Sequence, residues 1–173
     1  MVKLVTHSRD LRGVKDATVI INRSAPAGTI VPHLIYDDVG AAIEFLCGAF
    51  GFKERLRAGP DGQPGHAQLS IGDGAVVLGA ARVGTGFATP DLVEFRLPRP
   101  NEVSQSLNVR VEDVDSHFEQ ARDFGARILS PPTDYPFGER QYTAEDLAGH
   151  RWTFSESISD VDPEDWGATV AKR

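Results

Sequence analysis

Apolar residues along the chain recur at two spacings, and each spacing marks a different kind of element. Val39, Ala42, Ile43, Leu46, Ala49 and Phe50 fall three or four apart, as do Val114, Phe118, Ala121 and Phe124, so both segments read as amphipathic helices. Shorter apolar or alternating runs, broken by Gly, Pro and Asp, predict strands at 53–57, 66–71 and 75–79 after the first helix. The same pattern after the second helix predicts strands at 127–129, 140–144 and 151–155. Each helix follows a strand-like run ending in an acidic pair: Leu34-Ile35-Tyr36-Asp37-Asp38-Val39 is echoed 75 residues later by Val109-Arg110-Val111-Glu112-Asp113-Val114. Asp38 and Asp113 stand where a carboxylate accepts from the free N–H groups of a first turn. Gly51 and Gly125 stand where a left-handed residue ends a helix. The chain therefore reads twice as strand, helix, strand, strand, strand, an α+β protein built on an internal repeat.

The two halves cover about 30–80 and 105–158, and a Pro- and Gly-containing connector at 81–104 joins them, with a short strand expected at 92–97. Neither half is large enough to stand alone, so a shared core is expected. Residues 1–29 form a basic N-terminal extension, read either as an additional strand at 17–21 or as a flexible leader, and residues 159–173 form an acidic tail. A net charge of −7 argues against a nucleic-acid partner, which would need clustered Lys and Arg. No run of about 18 apolar residues is present and the start lacks a basic-then-apolar leader, so a soluble, cytoplasmic protein with no membrane partner is expected. The single cysteine, Cys47, excludes an internal disulfide and a thiolate zinc site, and no activating base is evident beside it.

Several short motifs then carry a family resemblance. In the first half these are Pro32-His33-Leu34-Ile35-Tyr36-Asp37-Asp38, Ala42-Ile43-Glu44-Phe45, Ala49-Phe50-Gly51-Phe52, Pro60-Asp61-Gly62, His66-Ala67-Gln68-Leu69 and Ile71-Gly72-Asp73. The second half adds Val111-Glu112-Asp113-Val114-Asp115, Phe124-Gly125-Ala126, Pro131-Pro132, Phe137-Gly138-Glu139-Arg140 and Asp146-Leu147-Ala148-Gly149-His150-Arg151-Trp152. Over about residues 30–158 the chain resembles the vicinal oxygen chelate superfamily of glyoxalases, bleomycin-resistance proteins and extradiol dioxygenases. It is most similar to the subgroup called 3-demethylubiquinone methyltransferase-like or glyoxalase-like. The resemblance implies two paired βαβββ modules forming a cup-shaped, mostly antiparallel sheet with helices packed outside, a ligand inside the cup and a homodimer.

The resemblance also implies that enzymes of the family hold a divalent metal with four cavity-facing His or Glu side chains, one from each of four strands. Here the corresponding positions carry Val31, Ser106 and Thr153, and the strand at 75–79 offers no carboxylate. No cofactor is therefore expected, and the first reading is a protein that binds a small organic molecule in the sheet cavity. Its candidate ligand contacts are His33, His66, Gln68, Asn108, Arg110, Arg140, Tyr142 and Thr153. The alternative is a metal-dependent lyase, isomerase or dioxygenase that uses His33 and His66 with Glu54 or Glu139. A third reading makes His33 a general base in an enzyme without a cofactor.

The remaining aromatic and histidine residues have more ordinary readings. The Pro-rich stretch 131–136 is expected to be a loop overhanging the cup, with Tyr135, Phe137 and Tyr142 as aromatic walls. Trp152 should pack beneath the sheet, His117 should be exposed on its helix, and His150 should orient the backbone of a turn. Trp166 lies in the acidic tail and is expected to dock on a partner subunit.

Overall fold

The structure is a computed structural model that describes residues 22–60, 63–81 and 96–171. The strand expected at 17–21 lies outside the described residues, as do residues 92–95 of the connector strand, and residues 96–98 are in no strand. The first module runs β1 (His33–Tyr36), α1 (Val39–Phe50), β2 (Lys53–Ala58), β3 (His66–Ile71) and β4 (Gly74–Ala80). The second repeats it as β5 (Ser106–Arg110), α2 (Val114–Asp123), β6 (Arg127–Tyr135), β7 (Glu139–Glu145) and β8 (Arg151–Ser157). A short 3₁₀ helix, Pro163–Trp166, closes the described chain.

The modules form two four-stranded sheets, ordered β1-β4-β3-β2 and β5-β8-β7-β6. In each sheet the first pair is parallel and the others are antiparallel. The registers make the repeat literal: His33 and Gln68 flank Val77, as Asn108 and Thr143 flank Thr153. Both helices start where the capping carboxylates lie, with Asp38 accepting from the Ala41 N–H and Asp113 from the Ser116 N–H, each at 2.9 Å. Gly51 (φ 70°) and Gly125 (φ 102°) take the left-handed backbone that ends each helix.

One strand departs from expectation. Residues 131–135 are not an overhanging loop, because β6 continues through Pro131 and Pro132 to Tyr135. Its register shifts between Ile128 and Ser130 and again between Ser130 and Thr133. An edge strand with such irregularities tolerates prolines that a central strand would reject, since no ladder partner on the outer side needs their missing N–H.

The buried faces of both sheets and both helices make one continuous core rather than two. Phe50, at the end of α1, is fully buried, with its ring 5.6 Å from Trp152 and 4.8 Å from Phe154 of the other module. The helices also touch directly: Gly48 gives the Phe124 ring room to lie on α1, where it meets Phe45 edge-on at 6.0 Å. The Gln120 amide donates to the Gly48 carbonyl at 2.9 Å. Asp146 ties the modules together with four acceptances. Its Oδ2 receives the Tyr36 hydroxyl at 2.7 Å and the Trp152 indole N–H at 3.1 Å, while Oδ1 receives the Ala148 and His150 N–H groups at 3.0 Å. His150 does more than orient a turn: it is buried and its Nε2–H donates to the Ile35 carbonyl of the first module at 2.9 Å.

His117 is half-buried rather than exposed. Its ring lies 4.4 Å from that of Phe154, Nδ1 accepts from the Tyr142 hydroxyl at 2.6 Å, and Nε2–H donates to the Phe50 carbonyl at 3.2 Å. Burial holds its pKa below the ordinary 6.5, although the bond to Phe50 pulls the other way. Above pH 6.5 the neutral ring contributes its full stability. As pH falls below 6.5 the unfolded chain takes up a proton that the folded chain refuses, so stability drops toward the lowered folded value. The unfolding midpoint in urea should therefore fall between pH 7.5 and 5.5, and His117→Gln should flatten that fall. The expected scale is about 1.4 kcal/mol per pH unit of separation between the two states. His33, lowered by burial and then by His66, adds a slope of the same sign that this variant leaves in place. An unchanged slope in His117→Gln would assign the acid limb elsewhere.

Candidate functional site

Strand alternation turns one face of each sheet toward the shared core and leaves the other open. On the open face of the first sheet, His66 pairs across the strands with Gly79. The His33 ring lies over the same glycine, so that a Cβ at Gly79 would come 2.5 Å from Nε2 of His33. Gly79 is thus the clearance that lets the two imidazoles sit side by side. Burial and the neighbouring His66 lower the His33 pKa, which keeps its ring neutral at pH 7.

Gln68 shares this face but is only 6% exposed, because the chain preceding β1 crosses over it. Its Oε1 accepts from Arg55 and its Nε2–H donates to the Ser24 carbonyl at 3.0 Å. Arg55 also reaches the Arg23 carbonyl at 3.4 Å. Residues 22–25 form a turn, closed by the Ala25 N–H on the Asn22 carbonyl and the Ser24 N–H on the Asn22 side chain. Gln68 therefore anchors the end of the N-terminal extension. The sequence held no signal for this contact, since the partners lie 44 residues apart and meet through backbone carbonyls.

The open face of the second sheet is a row of uncharged hydrogen-bonding groups. Asn108 of β5, Thr153 of β8 and Thr143 of β7 stand in register across three strands, with Gln141 and Ser155 the next pair along. Asn108 is exposed, and Thr153, Thr143 and Gln141 are half-buried. At the end of the row Arg110 donates to the Ser157 hydroxyl at 2.8 Å and to Glu139 at 2.5 Å, and the Gln141 amide donates to Glu139 at 2.7 Å. Burial pushes the Glu139 carboxyl up, but the bonds from Gln141 and Arg110 outweigh it and hold it below the usual range. Arg110 thus already has a carboxylate partner within this face.

Of the eight sequence-predicted contacts, the structure places His33, His66, Gln68, Asn108, Arg110 and Thr153 on the open faces. Arg140 and Tyr142 lie on the other side. Tyr142 pairs with Phe154, is fully buried, and stacks on that ring at 5.1 Å, so it is core. Burial pushes its hydroxyl pKa above the ordinary 10.0. Arg140 is held by Asp115 at 2.9 Å and Asp134 at 2.6 Å, which bind the start of α2 to the β6–β7 hairpin. The signal was present: Tyr142 is in phase with Ala144, which pairs with the core residue Trp152. Trp166 rests edge-on against Phe137 of its own chain at 5.8 Å.

The donor set does not suit a metal. Ser106 and Thr153 occupy the second module's positions, and β4 sends Ala75, Val77 and Gly79 to the open face. Among the described residues no group of three or more His, Cys, Asp or Glu is placed to hold an ion. Glu54 pairs in register with the core residue Leu69 and is bound to Arg57 at 2.6 Å, so it is unavailable to His33 and His66. Burial raises the Cys47 thiol, consistent with an inert packed side chain. Among the described residues no helix is long and apolar enough to cross a membrane.

Known proteins share this architecture. TioX from Micromonospora sp. ML1 has a crystal structure that matches 76% of this chain and 100% of its own, at 32% identity and a TM-score of 0.62. A glyoxalase/bleomycin resistance protein/dioxygenase from Nocardioides matches 80% of this chain and 89% of its own, at 25% identity and a TM-score of 0.57. The uncharacterized protein Mb0911c of Mycobacterium bovis is 28% identical over 146 residues, covering 82% of this chain and 91% of that protein. The model of one family matches residues 27–154, spanning both modules. With the repeated βαβββ topology already in place, that match makes the chain a member of the Glyoxalase/Bleomycin resistance protein/Dioxygenase superfamily.

Proposed function

We propose that this chain binds a small organic molecule on the open faces of its sheets, through shape and hydrogen bonds and without a resident metal. One observation carries the reading: where the family's metal-binding enzymes carry His or Glu, the open faces hold Ser106, Thr153 and an apolar β4, beside the uncharged row of Asn108, Thr143 and Gln141. Amide and hydroxyl groups donate and accept, so they orient a polar ligand without demanding a particular charge. The neutral His33 ring, beside His66, is a second polar anchor.

The test begins with metal analysis by mass spectrometry, on protein purified without chelators or a nickel-capturing tag. Thermal unfolding with added zinc, nickel, manganese or ferrous iron follows. The expected result is metal far below stoichiometric and no saturable stabilisation by any of the four ions. Near-stoichiometric metal would overturn the reading and move the search to metal-dependent lyases, isomerases and dioxygenases. A compound found by thermal-shift screening should lose about tenfold in affinity in Asn108→Ala, as expected for one hydrogen bond. Turnover of that compound, abolished in His33→Ala with the fold intact, would make the protein an enzyme instead.

A further inference from the structure

We infer that residues 22–25 form a strap closed over the first sheet's open face, latched by Arg55 and Gln68, and that a ligand is seated on that sheet only when the strap leaves the latch. The inference rests on the open-face reading and adds its regulation: the Gln68 amide holds either the strap or a ligand.

The position of the latch is the first argument. Gln68 pairs with Val77, beside the apolar floor that Ala75, Val77 and Gly79 make on the open face, yet it is only 6% exposed. Both ends of its amide are in use, Oε1 by Arg55 and Nε2–H by the Ser24 carbonyl at 3.0 Å. The same Arg55 guanidinium reaches the Arg23 carbonyl at 3.4 Å, so it spans sheet and strap. Glu54, its neighbour in β2, is taken on both oxygens by Arg57 at 2.6 Å, which leaves Arg55 to the strap.

The second argument is how lightly the strap is held. Its own turn uses the Ser24 N–H on the Asn22 side chain at 2.9 Å and the Ala25 N–H on the Asn22 carbonyl at 3.2 Å, so the Arg23 and Ser24 carbonyls are left for the latch. Asn22, Arg23, Ser24 and Ala25 are all exposed, so polar bonds rather than apolar burial fasten them. A segment held by a few exposed hydrogen bonds opens locally while the rest stays folded. Gln68, by contrast, sits on β3, which is paired on both sides by β2 and β4. Opening therefore moves the strap and leaves Gln68 in place, its Nε2–H turned to a new acceptor. A ligand that needs the open state binds more weakly by the fraction open, and in return it opens the strap.

The experiment is trypsin cleavage of the native full chain after Arg23, read by mass spectrometry as the product that begins at Ser24. The protease takes this bond only when the segment has left the latch. Arg55 is exposed on its edge strand, so Arg55→Ala leaves the core untouched. It should speed cleavage after Arg23 about tenfold, while cleavage after Arg127, inside β6, stays unchanged and reports global opening. The ligand probe is Nile red, a neutral planar dye with a carbonyl acceptor, suited to an apolar floor beside an amide donor. By fluorescence it should bind the wild type saturably and bind Arg55→Ala about tenfold more tightly. It should also speed cleavage after Arg23 in the wild type. Equal cleavage after Arg23 in the two proteins would overturn the strap. Nile red that binds neither protein, binds both equally, or leaves cleavage after Arg23 unchanged would overturn its control of the site. Near-stoichiometric metal together with faster cleavage in Arg55→Ala would overturn the metal-free reading and keep the strap, so the two failures are distinguishable.

Discussion

Asp146→Ala should lower the unfolding free energy by about 4 kcal/mol, the range seen when one partner of a buried charged network is removed. The carboxylate is 6% exposed and accepts four hydrogen bonds, two from side chains and two from the backbone of its own turn. Alanine would leave the Tyr36 hydroxyl, the Trp152 indole N–H and two backbone N–H groups without an acceptor inside the protein. Tyr36 is fully buried, and burial followed by the Asp146 charge holds its pKa well above the ordinary value, so the pair exists as a neutral phenol donating to a carboxylate. Tyr36→Phe removes one donor and keeps the other three, and should cost only about 1–2 kcal/mol. Urea unfolding with an unchanged m-value measures both. A loss below about 1 kcal/mol in Asp146→Ala would mean that solvent replaces the acceptor readily and that this turn does not join the modules.

How far the sequence revealed this molecule depended on whether a feature is local. The stripe of Val39, Ala42, Ile43, Leu46, Ala49 and Phe50 is the buried set of α1 residue for residue, since a helix face is set by spacing alone. The capping aspartates and terminating glycines were equally legible, because each acts on its own backbone. The offset of 75 residues located the open-face partners His33 and Asn108 before any coordinates. What failed was decided at long range. Tyr142 reads as a cup aromatic by residue type, but its phase with Ala144 and its ladder partner Phe154 put it on the face turned to the helices. His117 looked exposed on a polar helix until Phe50 and Phe154, from two other elements, closed over its ring. Gln68 reads as a ligand contact by its residue type, whereas in the fold its amide is used by the segment at 22–25, 44 residues away. That Ser106 and Thr153 stand at two of the positions where the family's metal-binding enzymes carry His or Glu is a matter of residue identity, which geometry does not change.

Phe50→Ala should cost about 3–5 kcal/mol, the usual penalty for emptying a fully buried aromatic site. The ring contacts Phe45 at 5.5 Å within its own helix, and Trp152, Phe154 and His117 in the other module. A cavity at that point removes packing from both modules at once. Phe50→Leu keeps most of the apolar volume and should cost about half as much, so the pair of variants separates volume from ring contacts. If the two modules are one cooperative unit, Trp fluorescence and far-UV circular dichroism will report the same midpoint in the wild type and in Phe50→Leu. The reason lies in Trp152, which is buried in the second module and touches Phe50 and Phe52 of the first, so its environment changes as soon as either half unfolds. Separate transitions would show that the βαβββ halves hold together independently and that the shared core is an interface between two folding units. That outcome would also shrink the expected effect of Asp146→Ala, because the Tyr36 bond would then cross a boundary that opens on its own.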